Sequence, residues 1–234
     1  MKLNLSVIIP AYNEEKRLEK TLIKIKNYFK NKKIKYEIIV IDDGSLDMTS
    51  EIALKHNSVL IKNKKNYGKG YSIKKGFFKA KYNYILFTDS DLSTPIEEFD
   101  KFLPFINYYD IIIGSRRAKN SKVVQKQNIF RIIAGNIFPI IVSIIMHLGI
   151  KDTQCGFKLF NKKKCYKIFK KLTINRFSFD VELIYLAKKY NLKIKEIGIN
   201  WFNDSHSKVK FFKDSFIMLK DIIKIKLNDI LGKY

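Results

Sequence analysis

With 234 residues and 46% hydrophobic side chains, the chain is long enough to bury one sizeable α/β core and too apolar to be disordered. Its 46 Lys+Arg against 22 Asp+Glu give a formal net charge of +24, which suggests an anionic partner, either nucleic acid or an anionic lipid surface, or else reflects the codon bias of an AT-rich genome, since the lysines are scattered among Ile and Asn throughout. Two cysteines, Cys155 and Cys165, make neither a disulfide framework nor a metal knuckle, and no signal-like segment precedes the first strand-like run, so a reducing, cytosolic setting is expected.

Leu5 to Ile9 reads as a strand closed by Pro10. Asn13 then stands where a helix N-cap is expected, with Glu14 and Glu15 in the first turn and Leu18, Leu22, Ile25 and Phe29 at helical spacing. Tyr36 to Ile41 is a second buried strand, ending in Asp42-Asp43-Gly44-Ser45; a helix over Asp47 to Lys55 and a short strand at Val59-Leu60-Ile61 follow. Asn66-Tyr67-Gly68-Lys69-Gly70 leads into a helix over Tyr71 to Ala80. The apolar run Tyr84-Ile85-Leu86-Phe87 then delivers Asp89-Ser90-Asp91 at a strand end, with the two carboxylates on one side and Ser90 facing away. A helix is expected from Pro95, and a strand over Asp110 to Ile113 runs into Gly114-Ser115-Arg116-Arg117. Strands alternating with helices predict a parallel, doubly wound sheet. In such sheets ligands bind outside the carboxyl ends of the strands, where these polar clusters all fall.

Asp89 and Asp91 have no basic neighbour in sequence. Such a pair suits a hard divalent cation, Mg²⁺ or Mn²⁺, held by one or two carboxylates with substrate phosphates completing the shell. The plainer alternative is an acid-rich turn capping the helix near Pro95. From Ile129 to Ile150 the chain is strongly apolar but broken by Arg131, Asn136, Pro139 and His147. Two amphipathic helices lying in a membrane interface are expected there, with a buried core hairpin as the alternative. Asp152 to Phe160 reads as a loop entering a strand, Arg176 to Glu182 leads into a helix, and Lys193 to Ile199 is a final strand before Asn200-Trp201. Residues 203–210 form a basic loop, and Phe211 to Leu231 an amphipathic helix with lysines on its polar face. No repeat or linker divides the chain, so residues 1–234 are expected to form a single domain.

Taken together, Ser6 to Glu15, the Asp42-Asp43-Gly44-Ser45 turn and the Asp89-Ser90-Asp91 pair resemble the nucleotide-sugar elements of glycosyltransferase family 2, over nearly the whole chain. That resemblance implies a GT-A fold, a mostly parallel sheet flanked by helices. Asp152-Thr153-Gln154-Cys155-Gly156-Phe157-Lys158 and Phe179-Asp180-Val181-Glu182 look like the branch that glycosylates polyprenyl or dolichyl phosphate. Phe202, next to Trp201, stands where the mannosyl members of that branch carry an arginine, six residues before the lysine matching Lys208; the chain therefore looks more like the glucosyl type. UDP-glucose is then the implied donor, with GDP-mannose the competing one. The resemblance further implies that Pro10, Tyr12, Glu14, Val40 and Asp42 hold the nucleoside, Asp42 on base or ribose, and that Asp89, Ser90 and Asp91 reach the metal and diphosphate. Lys69 is expected along the donor cleft, or else as a solvated loop lysine. Arg116 is expected on a phosphate, or else as a surface arginine. Arg131 and Lys208 are expected at the acceptor phosphate. Asp180 is expected to orient acceptor or sugar, or else to cap its helix. A membrane surface is the expected partner and the cytoplasmic face of a membrane the expected place, because a nucleic-acid reading rests on charge alone and lacks a recognition signature.

Overall fold

The computed structural model describes residues 3–124, 142, 146, 148–202 and 211–234, without the side chains of 211–216. β1 (Asn4–Ala11) pairs in parallel with β2 (Lys35–Asp42) and β4 (Tyr84–Thr88), and β2 with β3 (Val59–Lys62). β5 (Ile111–Ser115) pairs in parallel with β8 (Ile194–Gly198). Between the two sets lies β7 (Phe157–Asn161), antiparallel to both β4 and β5. The order β3-β2-β1-β4-β7-β5-β8 makes a mixed, mostly parallel seven-stranded sheet. The sheet is mostly parallel, as the family resemblance implies, and β7 is the strand that reverses. A separate parallel pair joins β6 (Lys122–Val124) to β9 (Asn200–Phe202), so the strand expected to be final at Ile199 is followed by one more.

Alternation along the strands divides the core into two layers. Ile8, Ile39, Ile41, Ile85, Phe87 and Ile111 face one way, toward α3 (Lys69–Lys79), α4 (Lys162–Lys171), α5 (Phe179–Lys189) and α6 (Phe211–Ile230). Leu5, Val7, Ile9, Val40, Leu86 and Ile112 face the other, toward α1 (Leu18–Lys30) and the 3₁₀ turns carrying Phe99 and Phe102. The helix expected from Pro95 is this 3₁₀ run over Ile96–Lys101, with Pro95 preceding it in an extended conformation. α2 (Thr49–Lys55) lies beside α1 and β3.

Asn13 does not cap α1: it holds a left-handed φ of 52°, and Arg17 stands at the cap. α4 was not expected. Its lysine-rich sequence hides a narrow stripe of Cys165, Ile168 and Phe169, and the Asn161 side chain caps it by accepting from the Lys164 N–H. Arg131 and Lys208 lie outside the described residues, as does most of the stretch expected at the membrane. Of the described members of that stretch, Val142, Met146, Leu148 and Ile150 are buried in the same layer as α5 and α6, while Gly149 is exposed.

Candidate active site

Because β7 runs opposite to its neighbours, its entry lies beside the exits of β4 and β5. One edge of the sheet therefore gathers the loops after β1, β2, β4 and β5 together with the loop before β7. The acidic pair leaves β4 in a turn rather than an extended strand: β4 ends at Thr88 and the Leu92 N–H reaches back to the Asp89 carbonyl. Ser90 is buried, with its carbonyl accepting from the Thr21 hydroxyl at 2.6 Å. Asp91 accepts from the Ser93 N–H at 2.9 Å, and its other oxygen lies 3.9 Å from Arg17 Nη1. Burial, and then the neighbouring Asp89 charge, push the Asp91 pKa above the ordinary carboxylate value.

Asp89 owes its place to a glycine. A Cβ on Gly156 would sit 1.8 Å from Asp89 Oδ2, so the turn entering β7 has a side-chain-free hollow filled by the carboxylate. The other Asp89 oxygen pairs with Lys69 Nζ at 2.6 Å. Lys69 opens α3 immediately after Gly68, whose φ of 108° favours glycine. Asp43 fixes that turn by accepting from the N–H groups of Tyr67 and Gly68 and from the Asn63 amide. Lys69 is thus an ion-paired group at the site and not a solvated loop lysine. Burial alone would lower its pKa, but Asp89, Asp180 and Asp91 outweigh burial and leave it above the ordinary value.

Beneath this pair lies a second. Lys158, fully buried in the middle of the sheet, donates to Asp180 Oδ1 at 2.6 Å and to the Cys155 carbonyl. Both lysines approach the Phe87 ring, whose centroid is 5.1 Å from Lys69 Nζ and 5.8 Å from Lys158 Nζ. Burial raises the Asp180 pKa, and Lys158 and Lys69 only partly offset that. Asp180 is 3% exposed, so here it holds Lys158 and does not face an open cleft. Sequence reading missed Lys158; its signal was a lysine flanked by Phe157, Leu159 and Phe160 in a strand with no polar face.

Other expected donor residues divide by exposure. Tyr12 is exposed and Pro10 half-exposed at the same edge. Glu14 is buried and grips Arg17 through a fork of 2.7 and 2.8 Å. Val40 is enclosed in the core. Asp42 is likewise fully buried, accepting from the Ser45 N–H at 2.8 Å and from the Ser50 hydroxyl. In this structure it shapes the turn after β2. A cavity of about 730 Å³, lined by Asn13, Glu14, Arg17, Thr21, Leu46 and Asp91 among others, adjoins the acidic turn.

Arg116 spends its fork on Asp152, with Nε–Oδ2 at 2.7 Å and Nη2–Oδ1 at 2.8 Å, so its expected phosphate-facing fork is already engaged. Burial disfavours both charges, but the guanidinium holds Asp152 down at about 2, and Asp152 in turn raises Arg116. The guanidinium carbon lies 5.5 Å from the Trp201 ring centroid. Next to it, the Phe202 N–H bonds the Ser93 carbonyl at 2.8 Å. The Trp201-Phe202 pair is therefore tied to the turn that carries Asp91.

The model for "Glycosyl transferase family 2" matches residues 6–169 of this chain. The chain belongs to glycosyltransferase family 2. Among its relatives, the dolichyl-phosphate beta-glucosyltransferase of Dictyostelium discoideum is 40% identical over 246 aligned residues, covering 97% of this chain and 75% of that one. The enzymes of that name from Homo sapiens (35%) and Saccharomyces cerevisiae (34%) each cover 98% of this chain, and 77% and 76% of their own lengths. In fold, this family 2 glycosyltransferase is similar to the glucosyl-3-phosphoglycerate synthase of Mycobacterium tuberculosis solved with Mn²⁺ and UDP-glucose. The TM-score is 0.68 at 16% identity, over 97% of this chain and 78% of that one. The mannosyl-3-phosphoglycerate synthase of Rubrobacter xylanophilus gives a TM-score of 0.68 at 14% identity, over 99% and 76%. Both likenesses concern the GT-A-like fold.

A divalent cation fits the residues of this site. Asp89 and Asp91 stand against Lys69, and Asp180 against Lys158, which leaves one negative charge in excess among these five groups. The Gly156 hollow holds one carboxylate where a side chain would displace it. Among the described residues no cluster of three or more His, Cys, Asp or Glu forms a closed cage. A site of two carboxylates is of the kind that substrate phosphates complete.

Proposed function

We propose that this family 2 glycosyltransferase transfers glucose from UDP-glucose to dolichyl or another polyprenyl phosphate, with inversion, at the cytoplasmic face of a membrane. The observation that carries the reading is the near-full-length likeness to dolichyl-phosphate beta-glucosyltransferases at 34–40% identity. The Trp201-Phe202 pair tied to the acidic turn supports glucose over mannose. The free, buried thiols of Cys155 and Cys165 suit a reducing compartment.

The acceptor removes the need for a general base. A phosphate monoester is already anionic near neutral pH, whereas a sugar hydroxyl must first lose a proton. Its oxygen attacks the anomeric carbon as the bond to the diphosphate oxygen breaks, and the electron pair leaves with UDP. Attack opposite the nucleotide converts an α-linked donor into a β-linked product. What remains for the protein is alignment and charge. Alignment of reactants contributes roughly 7–11 kcal/mol when the reacting atoms are held close. A divalent cation, Mg²⁺ or Mn²⁺, held by Asp89 and Asp91 would neutralise charge growing on the departing diphosphate. Lys69 sets the orientation of Asp89 and brings a cation to the donor side. Tyr12 and Pro10 are assigned to the nucleoside, and Arg131 and Lys208 to the acceptor phosphate. Asp180 acts by fixing Lys158 beneath the site.

The test is incubation with radiolabelled UDP-glucose and dolichyl phosphate followed by organic extraction. Label should enter the organic phase. Transfer from GDP-mannose with none from UDP-glucose would overturn the choice of sugar.

A further inference from the structure

α6 has two apolar faces. Ile222 and Ile225 turn inward, into the layer that also buries Val142, Met146 and Leu148, and Met218 is buried beside Gln154. Leu219, Ile223, Leu227, Ile230 and Leu231 turn outward and are 44, 61, 51, 80 and 65% exposed. Four of the five recur every fourth residue and so form a continuous stripe, about 18 Å from Leu219 to Leu231 at the helical rise. The polar side chains exposed beside the stripe are Lys220, Lys224 and Lys233. The acids of this stretch are set back: Asp221 and Asp229 are half-buried, and Asp229 is engaged by Tyr185 and Lys189. An exposed face of large aliphatic side chains flanked only by cations matches an anionic lipid interface.

We infer that α6 seats the protein on an anionic bilayer, with the Leu219–Leu231 stripe in the acyl boundary and the flanking lysines among the headgroups. The inference rests on the proposed lipid acceptor only for its purpose; its observations are separate from the catalytic site. A second copy of the chain is a poorer occupant. Pairing the stripe with itself would bring two sets of lysines together, on molecules that each carry a formal +24. The helix is also coupled to the catalytic edge: Gln154 Nε2 lies 3.8 Å from Met218 Sδ, two residues before the Gly156 hollow. A bilayer along α6 would therefore meet the protein beside that edge, where a lipid phosphate has to arrive. Among the described residues no helix is long and apolar enough to cross a membrane, and the stripe is suited to lying on one.

The full-length chain should be tested by flotation with vesicles of phosphatidylcholine alone and with added phosphatidylglycerol. Wild type should float with the anionic vesicles, less so at high salt. I223N/L227N should lower partitioning at least tenfold with an unchanged melting temperature. K220E/K224E should remove the preference for anionic lipid. Wild type that fails to float, or variants that float as wild type does, would overturn the assignment. So would a dimer dissociated by I223N/L227N with flotation unaffected, which would make the stripe a self-interface. In parallel, both variants should keep wild-type glucose transfer to a water-soluble short-chain polyprenyl phosphate. A wild type that floats yet transfers nothing would overturn the activity and leave the membrane surface standing.

Discussion

Gly156→Ala isolates what a single methyl group does to the acidic turn. The new Cβ would lie 1.8 Å from Asp89 Oδ2 and 2.4 Å from its Cγ, contacts no real side chain makes. Something must retreat by more than about 1 Å, and the softest element is the Asp89 carboxylate, which turns on its own side-chain torsions. Swinging it out also breaks the 2.6 Å pair with Lys69. A misplacement of this size costs on the order of 10²-fold in rate. The fold should feel less: Gly156 has no left-handed φ, and Asp89 is partly solvated. The expected result is therefore a roughly 100-fold fall in kcat with Mn²⁺ affinity weakened about as much, and a small change in melting temperature. Initial rates across Mn²⁺ concentration, paired with a thermal melt, measure both. A G156A protein with wild-type kcat and Mn²⁺ affinity would refute the claim that this hollow positions Asp89.

Chelation by EDTA should stop transfer, and Mn²⁺ or Mg²⁺ should restore it; full activity in EDTA would exclude the assigned metal role. Asp91→Asn should cost roughly 10²-fold or more in kcat by weakening charge stabilisation at the diphosphate. Because burial and Asp89 disfavour the ionised Asp91, the same change should leave the melting temperature equal or higher, which a thermal scan without metal reads directly. Asp180→Asn strands the buried Lys158 ammonium and should destabilise the protein by about 3–5 kcal/mol in urea titration, most of it recovered in D180N/K158M. At temperatures where it stays folded, D180N should still turn over, since the phosphate acceptor needs no base; a folded D180N dead at every pH yet binding both substrates would bring a base back. Asp152 has a folded pKa of about 2, below its ordinary 3.8, so its contribution to stability is complete above that ordinary value and is lost as pH falls through about 2. That contribution is about 2 kcal/mol at neutral pH, and D152N should lose it along with its acid-limb pH dependence, as seen in denaturant midpoints from pH 2 to 7.

The half of the fold built from β1 to β5 was legible because each strand is an apolar run ended by polar residues, and α1 carries a regular stripe. What escaped lies where local pattern and tertiary setting part. β7 reads as a strand, but nothing in Phe157 to Asn161 says that it reverses between β4 and β5 after an excursion of some forty residues. α4 was hidden because three buried positions among six lysines make a weak apolar signal. At the site, Asp89 and Asp91 were found from their spacing, and Lys69 from its glycines. Asp180 and Arg116 were named through the family likeness, but the pairs they form were not, because Lys158 and Asp180 are 22 residues apart and Arg116 and Asp152 are 36 apart, and ion pairing at such distances leaves no local pattern. Val40 and Asp42 were named through family likeness, and burial assigns them to the core and the turn.

The most direct measurement is the anomeric configuration of the lipid product made by the wild-type chain from UDP-α-glucose, dolichyl phosphate and Mn²⁺, read by NMR after organic extraction. Single displacement by the acceptor phosphate gives one product, a β-linked glucosyl phosphate. An α-linked lipid, or glucose recovered only in water-soluble form, would contradict it.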